Sequence, residues 1–99
     1  MRRFVLVAYD VSEDKRLRQI FKLLRGYGEH IQFSIFLCRL TDKDYLVLSE
    51  KIRDIVNQNE DRVFLVKLGP IGRRRKTLPD RWEIIGMSPP LNVHNAMIY

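Results

Sequence analysis

"HIQFSIFLCRL", residues 30–40, carries two apolar series that are out of phase with each other. Ile31, Phe33 and Ile35 keep one parity, and Phe36, Cys38 and Leu40 then take the other. A straight strand sends alternate side chains to opposite faces, so it cannot bury both series on one side. A bulge or a tight hairpin near Ser34 and Ile35 restores the phase, and the segment reads as two short strands in succession.

The flanks extend that reading. Upstream, "RFVLVAY" (3–9) is a continuous apolar run bounded by Arg2 and Asp10, which suits a strand covered on both faces. Ser12 reads as a helix N-cap, Glu13 and Asp14 suit the positive end of the helix dipole, and Leu17, Ile20, Phe21 and Leu24 recur at helical spacing. That helix should stop at Gly26 or Gly28, glycine being able to take the left-handed conformation common at helix ends, with Tyr27 packed beside the exit. Downstream, "TDKD" (41–44) matches a capping box. Tyr45, Leu48, Ile52, Ile55 and Val56 then form the stripe of a second helix. "RVFLVKL" (62–68) is another apolar strand. The order strand, helix, strand, strand, helix, strand is that of an α+β, ferredoxin-like βαββαβ sandwich.

Beyond it, "GPIGRRRKTLPDR" (69–81) reads as a loop and "WEIIG" (82–86) as a fifth short strand. The loop can span at most about 40 Å when extended, so the extra C-terminal strand is free to join a partner subunit's sheet. Residues 1–86 are expected to form one domain and 87–99 a polar tail. Its apolar tip, Met97, Ile98 and Tyr99, is either a docking peptide or a loose terminus.

The chain has 99 residues, which suits one compact domain that buries roughly two thirds of its unfolded surface. Its net charge of +6 favours a polyanionic partner, nucleic acid first. Cys38 is the single cysteine, so no intrachain disulfide forms, and its apolar setting suggests a buried, inert thiol. "FVLVAY" is too short for a signal-peptide core or a membrane span. A cytoplasmic protein with no membrane partner is expected.

Asp10 closes the first strand with no second carboxylate inside it. One reading makes it a turn or capping residue. The other makes it a ligand for Mg²⁺, with Mn²⁺ able to substitute, because a hard cation takes oxygen donors and often needs only one or two carboxylates plus phosphate oxygens. Two copies of Asp10 across a two-fold axis would complete such a site for phosphodiester hydrolysis. Behind it, Lys15, Arg16, Arg18, Lys22 and Arg25 place five cations in eleven residues. They are either a solvated helix face or a nucleic-acid contact, with Arg16 and Arg18 best suited to fork a phosphate. Arg73, Arg74, Arg75 and Lys76, with Arg81 against Asp80, form a second basic cluster suited to a duplex backbone.

Several alternatives are excluded. "RGYG" (25–28) opens like the aromatic strand motif of RNA-recognition domains, but Glu29, His30 and Gln32 break it and the segment ends a helix. His30 and His94 lack any zinc spacing. No P-loop, nucleophile elbow or dinucleotide fingerprint is present.

The stretch "VAYDVSEDKRLRQIFKLLRGYGEHIQFSIF" (7–36) resembles the N-terminal half of CRISPR-associated protein 2, in which a strand ends in Tyr-Asp, a basic helix follows, and a Gln-aromatic-Ser-aliphatic-Phe segment comes next. The resemblance implies a ferredoxin-like homodimer that takes part in CRISPR adaptation (spacer acquisition). Such a dimer holds duplex DNA and bridges dimers of the integrase, CRISPR-associated protein 1. It also implies Mg²⁺-dependent endonuclease activity, in some relatives, on single-stranded RNA or double-stranded DNA. Under it, Tyr9, Asp10, Ser34 and Phe36 fall on the catalytic motif, with Asp10 as metal ligand, and Arg16 and Arg18 on the helix arginines. A basic position of some relatives falls on His30. The alternative is a stand-alone, toxin-like metal-dependent endoribonuclease of the same fold.

Overall fold

The computed structural model describes residues 1–71 together with Glu83, Ile85 and Gly86. The elements are β1 (Arg3–Asp10), α1 (Asp14–Arg25), β2 (Gly28–Gln32), β3 (Ile35–Leu40), α2 (Asp42–Ile55) and β4 (Arg62–Pro70). They form an antiparallel sheet of order β2-β3-β1-β4. This is the α+β, ferredoxin-like arrangement that the order of elements implies. Of the fifth strand expected at 82–86, Glu83, Ile85 and Gly86 are described and none of the three lies in a strand; Trp82 and Ile84, the 73–76 cluster and the 87–99 tail lie outside the described residues.

The phase shift in residues 30–40 has a definite cause. β2 and β3 fold against each other across Phe33 and Ser34, with a register shift between His30 and Gln32. Ser34 adopts φ 60°, the left-handed region that lets the chain reverse in so few residues. Phe36, Cys38 and Leu40 thereby face the same side as Val5, Val7 and Tyr9 of β1. Ile20, Phe21 and Leu24 of α1 and Leu48 and Ile52 of α2 close over them to make one core. Cys38 is fully buried, and burial pushes its thiol up to about 12, so it stays protonated and unreactive.

Helix boundaries follow local chemistry, with two departures from the sequence reading. The N-cap of α1 is Glu13, whose Oε1 accepts the Arg16 N–H at 3.1 Å. Ser12 is drawn away because its N–H and hydroxyl both donate to Asp61, at 3.0 and 3.2 Å. At the other end, Gly26 caps α1 in the right-handed region (φ −76°), so no left-handed turn ends the helix. Gly28 serves another purpose. A Cβ there would lie 2.4 Å from the Leu37 carbonyl oxygen, so its lack of a side chain is what lets β2 start against β3. In α2 the expected capping box is present: Asp44 N–H donates to Thr41 Oγ1 at 3.0 Å and Thr41 N–H to Asp44 Oδ2 at 3.3 Å. Among the described residues, no helix is long and apolar enough to cross a membrane.

Candidate functional site

Alternation along β1 gives the sheet two unlike faces. Val5, Val7 and Tyr9 point to the helices, while Phe4, Leu6, Ala8 and Asp10 point to the opposite side. On that side Leu6 stands between Leu37 and Val66, and Ala8 between Ile35 and Phe64. Phe64 is 57 % exposed and Val66 44 %, large values for apolar residues in a sheet. Phe4 and Leu37 on this face are buried. Arg39 lies 5.7 Å over the Phe4 ring and is held by Glu29 at 3.0 Å.

Asp10 ends this apolar face and is exposed. It faces Arg62, the first residue of β4, across the ladder. Among the described residues, no group of three or more His, Cys, Asp or Glu side chains gathers where it could hold a metal ion. Among the described residues, Asp10 is therefore not joined by two further such side chains at this strand end. That fits Mg²⁺ only if phosphate oxygens or a second chain supply the remainder.

The other motif residues gather near the same end of the sheet, but not on the same side. Tyr9 is 4 % exposed, its ring 6.3 Å from that of fully buried Phe36, and its N–H donates to the Ser34 carbonyl at 3.0 Å. Its hydroxyl is buried without a hydrogen-bond partner, and burial raises the phenol to about 12. His30 packs edge-on to Phe21 at 5.1 Å and against Phe36 at 4.9 Å, with Nε2 buried and unpartnered. Burial lowers its pKa, and a backbone hydrogen bond with Gln32 only partly opposes this. A neutral imidazole follows. Tyr9, His30 and Phe36 thus brace the hairpin from the core side, behind the strand end that presents Asp10.

The helix cations separate into two groups. Lys15, Arg18, Lys22 and Arg25 are exposed and spaced 3, 4 and 3 apart, which aligns them along one side of α1. Arg25 lies 5.9 Å over the Phe21 ring. Arg16 projects elsewhere: its Nε donates to Asp61 Oδ2 at 2.7 Å, and its Nη2 to Asp61 Oδ1 and Glu60 Oε1, both at 3.2 Å. As placed, its guanidinium fork is occupied by carboxylates. Asp61 also accepts from the N–H groups of Ser12 and Asn57, and Arg16 with these donors holds its carboxyl well below the usual range. Arg73, Arg74, Arg75 and Lys76 lie outside the described residues.

Sequence reasoning passed over Asp61 and Arg62. The signal was in the topology: with β4 antiparallel to β1, the residues that open β4 must meet those that close β1.

Comparison with known proteins agrees with this geometry. The family model described as "CRISPR associated protein Cas2" matches residues 1–76. A curated relative, CRISPR-associated endoribonuclease Cas2 1 of Rhodospirillum rubrum, is 37 % identical over 65 residues; the match covers 66 % of this chain and 64 % of that one, just under two thirds of the relative's length. Among solved structures, a hypothetical protein from Thermus thermophilus superposes with a TM-score of 0.75 at 26 % identity, over 90 % of this chain and 96 % of the other. Streptococcus pyogenes Cas2 gives a TM-score of 0.65 at 29 % identity, over 84 % and 99 %. With the Tyr-Asp strand end, the interrupted hairpin and the β2-β3-β1-β4 sheet all in place, the chain belongs to the CRISPR-associated Cas2 family.

Proposed function

We propose that this protein works as a homodimer in CRISPR adaptation, binding duplex DNA and bridging dimers of the integrase, and that its paired Asp10 residues form a Mg²⁺-dependent phosphodiesterase site. The observation that carries the proposal is the position of Asp10, exposed at the end of the sheet's apolar face, opposite α1 and α2. Exposed Phe64 and Val66 on that face favour a second apolar sheet as its cover. Two copies related by a two-fold axis would bring the same patch against itself and both Asp10 carboxylates to one interface. β4 is an edge strand among the described residues, which leaves its outer ladder open to an added strand from the partner.

With Mg²⁺ bound, such a pair of carboxylates would supply an activated water and charge stabilisation at a phosphodiester. The exposed side of α1, with Lys15 and Arg18, supplies phosphate contacts of low sequence specificity, and Arg73–Lys76 would add more. A second reading, a stand-alone toxin-like endoribonuclease, draws on the endoribonuclease name of the Rhodospirillum rubrum relative.

The test compares wild type and Asp10→Ala, each confirmed dimeric, on labelled single-stranded RNA and duplex DNA across Mg²⁺ concentrations. Metal-dependent cutting lost in Asp10→Ala, with binding retained, supports the hydrolytic site. Salt-sensitive duplex binding without cutting by either protein reduces the function to that of a scaffold. Stable association with the integrase separates the adaptation role from the toxin-like one.

A further inference from the structure

Arg62 stands directly across the ladder from Asp10. Opposed residues of an antiparallel pair share a face, with Cβ atoms about 5 Å apart, so the guanidinium and the carboxylate project together from the side opposite α1 and α2. Both residues are exposed, and among the described residues neither is engaged in an ion pair or side-chain hydrogen bond. The cations of α1 belong to a helix packed on the other side of the sheet. Arg16, which immediate proximity in sequence would nominate, is held by Asp61 and Glu60.

We infer that Arg62 is the phosphate-binding residue of the Asp10 site, and that Arg16 serves it as a positioning residue through Asp61. The inference rests on the reading that the Asp10 site, at the end of the face that pairs with a second copy, meets nucleic acid. A guanidinium beside a carboxylate suits a phosphodiester held there, because its planar fork bonds two phosphate oxygens at once. The backbone supports the assignment from both strands. Asp61 immediately precedes Arg62, its side chain is fully buried, and it takes the Ser12 N–H at 3.0 Å, two residues beyond Asp10. It also takes the Asn57 N–H at 2.8 Å, which ties in the turn leading to β4. One carboxylate, clamped by Arg16, therefore fixes the chain beside both members of the Asp10/Arg62 pair. A site held in this way loses less ordering entropy on binding.

The experiment measures binding of labelled duplex DNA and single-stranded RNA over a range of salt for wild type, Arg62→Gln, Arg62→Lys, Arg16→Gln and Arg16→Lys, with amide hydrogen exchange at Ser12 read in parallel. Arg62→Gln should lower the slope of log affinity against log salt by about one for each Arg62 in contact. Arg62→Lys should keep the slope but bind more weakly, having the charge without the fork. Arg16→Gln should leave the slope at its wild-type value while Ser12 exchanges faster, and Arg16→Lys should restore part of that protection. Arg62→Gln with wild-type slope and affinity overturns the inference while leaving the nucleic-acid reading intact. A slope lost in Arg16→Gln overturns it too. A wild type with no salt-dependent binding to either nucleic acid overturns both.

Discussion

Arg16 donates its Nε–H to Asp61 at 2.7 Å, and the Asp61 carboxylate has no solvent exposure at all. The pair links the start of α1 to the turn before β4, elements 45 residues apart in sequence. It closes the end of the sheet where Asp10 and Arg62 emerge. Removing the carboxylate by Asp61→Ala strands the N–H groups of Ser12 and Asn57 and should cost about 2 kcal/mol in urea denaturation. The pH dependence has a definite sign. The folded-state carboxyl lies below its ordinary value of 3.8, so its contribution is full above that value and fades as pH falls below it. Asp61→Ala should therefore flatten the acid limb of the stability curve and leave its shape between pH 5 and pH 8 (roughly the plateau region) unchanged. An acid limb as steep as that of the wild type would show that Asp61 contributes nothing to it.

His30 predicts a second acid sensitivity in a different window. Burial against Phe21 and Phe36 lowers its pKa below the ordinary 6.5, so the unfolded chain takes up a proton there before the folded one does. Stability should then be full above 6.5 and decline as pH falls from 6.5 through the folded-state pKa, where it levels off. His30→Phe removes the titrating group while keeping a ring in the cluster. Its denaturation midpoint should lose the slope that the wild type shows just below pH 6.5. A slope unaltered by the substitution would place the titration elsewhere.

The fold was legible because its decisive features are local. The parity change at Ser34 and Ile35, the capping box at Thr41 and the stripe from Leu17 to Leu24 each follow from sterics or periodicity within one element. What the sequence concealed is long-range. Ser12 looks like a cap until Asp61 is seen to take its donors, and nothing near Arg16 in sequence shows that the same carboxylate takes its guanidinium. Both are decided by a residue over forty positions away. Gly26 and Gly28 looked interchangeable as helix stops for a related reason: only the pairing of β2 with β3 shows which of them stands against a neighbouring backbone. That Asp10 closes the first strand was readable too, since the apolar run before it stops there.

Gly28 supplies a direct test of that pairing. A methyl group there would meet the Leu37 oxygen at 2.4 Å and Cys38 Cα at 2.7 Å, both backbone atoms that cannot turn aside. Gly28→Ala should destabilise the fold by about 1–3 kcal/mol, as overpacking does, and increase hydrogen exchange along β2 before β1. Gly26→Ala, where the nearest atom is the Leu23 oxygen at 3.4 Å and φ is −76°, should be close to neutral. Equal losses at the two glycines would contradict the strand contact.

The apolar face yields the prediction on which the functional proposal depends most. Phe64 and Val66 contribute little to the core, since Val63 and Leu65 are the β4 residues packed against it. Phe64→Glu should therefore leave the folded monomer intact. A central aromatic in a self-complementary interface commonly accounts for two or more kcal/mol, so the charge should weaken self-association by about 100-fold in sedimentation equilibrium. It should also abolish any Mg²⁺-dependent cleavage, because each chain offers only one Asp10. Mixing Phe64→Glu with excess wild type gives the sharper readout: heterodimers with one altered face should associate less weakly than the double-altered pair. A Phe64→Glu protein that remains fully dimeric and active would move the two-fold axis off this face, and with it the pairing of the Asp10 carboxylates.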